Sequence, residues 1–146
     1  MLAAAHRLRR PADFTAVLRR GVRAGRSSVV LHLLLPDGDA GAHPHPHPDA
    51  VPVLTPARVG FIVPKAVGGS VVRHRVVRQL RALMAARIDE FPPGSRCVVR
   101  ALAPAADLGS AGLAIELDNV VRRALQRASS ETGGHRSADP SLSGAR

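Results

Sequence analysis

From Val71 to Ile88, apolar residues return at steps of three and four: Val72, Val76, Leu80, Leu83, Met84 and Ile88. That spacing predicts an α-helix with one side buried against another layer. Ser70 offers a side-chain oxygen as N-cap, and Phe91-Pro-Pro-Gly94 closes the helix, because proline cannot continue it. The flanking segments have a different period. Arg58 to Pro64 alternates, with Val59, Phe61 and Val63 on one face and Gly60, Ile62 and Pro64 on the other. Arg96 to Leu102 alternates too, with Cys97, Val99 and Ala101 together. A helix between two strands must cover a sheet.

Further elements follow on both sides. Pro11 to Arg20 reads as a short first helix, with proline in its first turn, Phe14, Val17 and Leu18 on one face and Gly21 as its stop. Ser27 to Leu35 (SSVVLHLLL), closed by Pro36, is too continuous for a strand with one wet face and is expected to be largely buried. Pro104 to Gly112 reads as loop, and Leu113 to Ala128 as a closing amphipathic helix with Arg122, Arg123 and Arg127 near its end. The order is helix, strands, helix, strand, helix. One sheet with helices on one face, an α+β sandwich, buries these surfaces most economically. Residues 1–128 are expected to form a single domain. Residues 37–56 form an inserted loop, and from Ser129 the Ser/Gly-rich composition predicts a disordered tail.

The loop centre, Ala42-His-Pro-His-Pro-His-Pro-Asp49, is held extended by its prolines. Alternating histidines in such a segment do not converge on one ion, and no nearby cysteine or carboxylate completes a ligand set, so no metal site is expected. Cys97, the only cysteine, excludes an intramolecular disulfide and fits a reducing cytosol. It reads as a small core residue. Met1 to Arg10 lacks the apolar stretch of a signal peptide, and no segment reaches membrane-spanning length. A soluble, cytoplasmic protein is expected.

Charge narrows the function. The 146 residues carry 21 Lys+Arg against 11 Asp+Glu, a formal net charge of +10. An excess of this size favours a polyanionic partner. Lys65 is the only lysine, so arginine supplies the rest, with a planar fork that grips phosphate bidentately. Aromatics are confined to Phe14, Phe61 and Phe91, which disfavours a broad base-stacking platform. Enzymatic motifs are absent: there is no Gly-rich phosphate loop, nucleophile elbow or His-Glu-x-x-His helix, and the carboxylates are scattered. A stand-alone nuclease is disfavoured. The concentrated signal lies between Val63 and Arg81: a strand ending near Lys65, a glycine turn, then a helix opening with Arg73, His74 and Arg75 and continuing with Arg78 and Arg81. Backbone N–H groups at that helix start add partial positive charge beside the arginines. DNA, ribosomal RNA and tRNA would all suit such a face.

Here the chain resembles the bacterial ribonuclease P protein subunits. The similarity rests on Gly60-Phe-Ile-Val-Pro-Lys65, on Arg73-His-Arg75 followed by Arg78 and Arg81, and on Asp13-Phe14, Val17-Leu18 and Gly21. Val98-Val-Arg-Ala-Leu-Ala-Pro104 adds to it, in the right order over roughly Leu8 to Ala128. The resemblance implies the order α-β-β-β-α-β-α in a two-layer sandwich like ribosomal protein S5 domain 2, with an atypical left-handed β-α-β crossover. It also implies a non-catalytic subunit of a ribonucleoprotein endoribonuclease. The partner ribonuclease P RNA would use Mg²⁺ to remove the 5′ leader of precursor tRNA. Lys65, Arg73, His74, Arg75, Arg78 and Arg81 would bind RNA, and Phe14, Leu18 and His32 would line a leader cleft; neither DNA nor a membrane is an expected partner.

The departures from the family pattern matter. His74 stands where the family has Asn, which changes reach and geometry. Leu18 and His32 replace common aromatics, so leader stacking is expected to be weaker. Pro64 and Ala66 replace polar or basic neighbours of Lys65, and the histidine–proline loop reads as an insertion. Phe14 has two readings, a stacking platform or a core residue of the first helix. A structural or ribosomal RNA-binding protein without a role in cleavage is the alternative function, and a metal-dependent hydrolase using the histidine loop is a third.

Overall fold

The computed structural model describes residues 2–36 and 56–136. Helix α1 (Pro11–Arg20) is followed by strands β1 (Val22–Gly25), β2 (Val29–Leu34) and β3 (Arg58–Ile62), helix α2 (Ser70–Ala85), strand β4 (Arg96–Ala101) and helix α3 (Ala105–Arg136). The sheet is four-stranded and mixed, in the order β1-β2-β4-β3. β1 with β2 and β2 with β4 are antiparallel, whereas β3 and β4 are parallel. α2 therefore connects two neighbouring parallel strands. This is the expected α+β class and element order.

Period-two alternation gives the sheet two faces. Leu31, Leu33, Val59, Cys97 and Val99 point into the main core, with Val76, Leu80 and Met84 of α2 and Leu113, Leu117 and Val120 of α3. On the opposite face Leu34, Val98 and Ile62 meet Leu8, Phe14 and Val17 in a second apolar cluster. The expectation of helices on one face therefore holds for α2 and α3, while α1 covers part of the other. The N-terminal segment protects the outer edge of β3: Leu8 donates to Val59 O at 3.0 Å and His6 Nδ1 lies 2.7 Å from Ala57 O.

Several boundaries differ from the sequence reading. β1 was not located from residues 22–25, and Ser27-Ser28 lies in the turn joining it to β2, where Arg26 N–H donates to Val29 O. Ser70 is not the cap of α2: Gly69 holds that position in extended conformation, and no side chain caps the helix. α2 stops at Ala85, and Ile88 falls instead in a 3-10 turn, Ile88–Glu90, where it is still buried. The loop expected over Pro104 to Gly112 is largely helical, because Pro104 sets up a first turn anchored by buried Ala105. Gly109 breaks that turn from the long helix with φ 69, a left-handed conformation that glycine adopts without strain. Residues 129–136, assigned from composition to a disordered tail, continue α3. Of the inserted loop, 37–55 lies outside the described residues, as does 137–146 of the tail.

Candidate nucleic-acid interface

The approach to α2 is short and anchored. After β3 the chain makes a 3-10 turn, Lys65–Val67, in which buried Val67 faces the core and Lys65 is exposed. Two glycines then lead into α2, whose first-turn hydrogen bond runs from Arg73 N–H to Gly69 O at 2.9 Å. The buried stripe of α2 turns His74, Arg75, Arg78 and Arg81 outward, all exposed.

The six basic positions do not form one patch. His74, Arg75 and Arg78 line a shallow cavity of about 350 Å³ with Ser70 and Val71. Arg75 is partly pre-ordered there, because its Nη2 donates to Ala106 O of α3 at 2.9 Å. Arg73 is half-buried, and its Nε is shielded from solvent without a hydrogen-bond partner among the described residues. A desolvated donor of this kind gains from an incoming acceptor. Arg81 lines a different cavity, about 340 Å³, shared with Arg7, Arg9 and Phe14. The structure thus joins one expected RNA-binding residue to one expected cleft residue.

The tip of the Phe14 ring abuts the sheet at Gly60: a Cβ built there would sit 2.3 Å from the Phe14 Cζ. Only glycine at position 60 admits the ring. The ring packs in the second apolar cluster and also borders the open cavity. α1 is held at this distance by Asp13, whose Oδ1 accepts from Arg96 Nη1 at 2.8 Å, with both side chains largely buried. Leu18, 40% exposed, lies on the same helix beyond the packed cluster.

His32 is half-buried on the α1 side of β2 and sits opposite Arg23 of β1. Burial first, then the Arg23 and Arg100 guanidiniums, hold its imidazole below its ordinary value, so it is neutral at pH 7. Around it the sheet face is open and basic, since Arg23 and Arg100 are exposed. Arg7, Arg9, Arg23 and Arg100 were missed as candidates. Strand alternation carried the signal for Arg100, two positions on from Val98 and opposite in facing to Val99; register with His32 places Arg23, and Arg7 and Arg9 arrive from the N-terminal segment.

Asp13 pairs with Arg96, Glu116 with Arg26 at 3.2 Å and Asp118 with Arg87 at 2.6 Å. The Arg87 hydrogen bond holds Asp118 below the usual carboxylate range. No three His, Cys, Asp or Glu side chains among the described residues gather as a metal site, and the histidine–proline loop is outside them. Cys97 is buried, and burial pushes its thiol well above the usual range, which suits a core residue.

The family model for Ribonuclease P matches residues 2–125. The ribonuclease P protein component of Streptomyces griseus is 49% identical over 125 residues, covering 86% of this chain and 96% of that one. That of Nocardia farcinica is 42% identical, covering 100% of this chain and 96% of the relative. Among solved structures, the RNase P protein of Staphylococcus aureus aligns with a TM-score of 0.64 at 19% identity, covering 82% of this chain and 94% of that one. The RNase P protein of Thermotoga maritima aligns at 0.58 and 18%, covering 77% and 92%. At these identities the structural matches speak for the fold.

Proposed function

Because the chain belongs to the Ribonuclease P family, we propose that it is the protein subunit of a ribonucleoprotein endoribonuclease that removes the 5′ leader of precursor tRNA. The catalytic RNA performs the hydrolysis with Mg²⁺, and the protein binds that RNA and the leader. Three of the described carboxylates, those of Asp13, Glu116 and Asp118, are engaged by arginines. Lys65, Arg73, His74, Arg75, Arg78 and Arg81 contact RNA in this reading, and Phe14, Leu18 and His32 face the leader. No helix of the described residues is long and apolar enough to cross a membrane. The site of action is the cytoplasm.

One observation carries the reading: the outward face of α2 borders two arginine-lined cavities, and the second reaches Phe14 and the sheet. Phosphates held along α2 would lead from the first cavity towards the second, at the α1 cleft. The protein's contribution is electrostatic and positional, with pre-ordered guanidiniums meeting a flexible anionic strand. His74 remains a hydrogen-bonding group in either protonation state.

Reconstitution with a ribonuclease P RNA at low Mg²⁺ tests this. Added protein is expected to accelerate precursor-tRNA cleavage; an unchanged rate would sink the proposal and favour a structural RNA-binding role. Cleavage by protein without RNA would point to an enzyme instead. Changing Arg73 and Arg75 to alanine should weaken RNA binding and flatten its salt dependence by about 0.7–0.9 in log–log slope for each phosphate no longer neutralised. An unchanged slope would put the phosphates elsewhere on the protein.

A further inference from the structure

β1 is an edge strand, so the carbonyls on its outer side have no strand to accept from. Two of them are engaged from α3: Arg123 Nη1 donates to Gly25 O at 3.0 Å, and Arg127 Nη1 donates to Arg23 O. The match is geometric. Residues four apart on a helix rise about 6 Å, and residues two apart on a strand advance about 6.8 Å. A guanidinium has five N–H donors, so the one bond that each arginine makes to β1 leaves others available.

Those others border a groove of about 570 Å³ between β1 and the C-terminal half of α3, lined by Arg23, Arg123, Gln126, Arg127, Ser130 and Glu131. Besides Gly21 and Val22 the lining residues are polar, with Arg23, Arg123 and Arg127 against the single carboxylate of Glu131. Arg23 has a second neighbour. It stands opposite His32 on the open sheet face, so it belongs to both surfaces.

We infer that the α3–β1 groove is a phosphodiester-binding site that continues the leader path over the edge of the sheet. The juxtaposition behind it is Arg23, shared between His32 on the sheet face and the carbonyl-bonded Arg123 and Arg127 in the groove. The inference rests on the leader reading given above and extends it to the nucleotides farther from the cleavage site. A strand leaving the neighbourhood of His32 and Arg100 meets Arg23 at the rim, then the two guanidiniums already ordered by β1. Pre-ordering lowers the entropy lost when phosphate binds. The polar Gln126 and Ser130 suit a solvated sugar–phosphate chain better than an apolar peptide or lipid.

The experiment uses holoenzyme reconstituted with a ribonuclease P RNA and two precursor tRNAs. One has a leader just long enough to cross the sheet face, and the other extends several nucleotides further. R123A/R127A should raise KM for the long-leader substrate about tenfold more than for the short one, taking roughly threefold per phosphate at moderate salt. Because those arginines also bond β1, a second variant, Q126E/S130E, keeps them and adds negative charge to the groove. It should shift the KM ratio in the same direction, and E131Q in the opposite one. A wild-type holoenzyme sensitive to leader length, with variants that penalise both substrates equally, would overturn the groove assignment alone. A wild type indifferent to leader length would overturn the leader reading and the groove with it. Weakened assembly with the catalytic RNA at an unchanged KM ratio would give the groove to that RNA and overturn the inference.

Discussion

The two faces of the sheet are built from the same strands and differ in what covers them. Under α2 and α3 the residues Leu31, Val99 and Val59 are sealed, and adjacent positions on the other face are not. There α1, 10 residues long and so spanning about 15 Å, covers Leu34 and Val98 but leaves Arg23, His32 and Arg100 towards water. Neighbouring residues of one strand thus have opposite tasks. The closed face stores stability, and the partly covered face leaves charge and a neutral imidazole towards solvent.

The sharpest test of that division compares adjacent residues in β2. Leu31→Ala removes a fully buried side chain and should cost about 2–5 kcal/mol in urea or thermal unfolding. His32→Ala, one position on, should cost under about 0.5 kcal/mol, yet raise KM for precursor tRNA. If the His32 variant proved as destabilising as the Leu31 variant, the partly covered face would be core and not site.

Gly60→Ala probes the covered part of that face. A Cβ 2.3 Å from Phe14 forces the ring or α1 outward. Overpacking of this kind costs about 1–3 kcal/mol, and it should also alter precursor binding through the cavity shared by Phe14 and Arg81. Full stability together with unchanged binding would show that the ring yields freely.

Periodicity carried most of this architecture. The stripe of α2 and the alternation in β3 and β4 identified the buried face, since helix and strand periods impose it locally. β1 escaped because Val22-Arg-Ala-Gly25 is too short, between flanking glycines, to show a period. The turn at Ala105 escaped because Gly109 and Gly112 resemble loop residues, while its anchoring depends on tertiary burial of Ala105. The basic positions on α2 were legible as charge beside a glycine turn. Their division between two cavities was not, because it depends on where Arg7, Arg9 and Phe14 arrive from distant segments. Arg23 became a candidate only through its register with His32.

The ion pair that seats α1 lies between the two faces in expected effect. Asp13→Asn keeps the shape and removes the charge that accepts from Arg96. The loss should be about 1 kcal/mol, read by urea unfolding. A larger effect is expected on the KM for precursor tRNA than on that for a leaderless analogue, because α1 carries Phe14 and Leu18. Equal changes for both substrates would make the pair purely structural.

The smallest expected effect is a pH dependence specific to the open face. His32 is held below its ordinary value of 6.5 by burial, then by Arg23 and Arg100. The folded protein therefore binds that proton less readily than the unfolded chain, and unfolding takes up a proton in the interval between the two values. The stability contributed by neutral His32 is complete above about 6.5. It is lost as pH falls from there through the lowered folded value, and His32→Gln should flatten that segment of the stability profile. Leader binding should move the other way. Phosphate beside His32 favours the imidazolium, so KM should fall over the same interval in the wild type and not in His32→Gln. A pH profile shared by both proteins would place the leader away from this imidazole and leave the open face to its arginines alone.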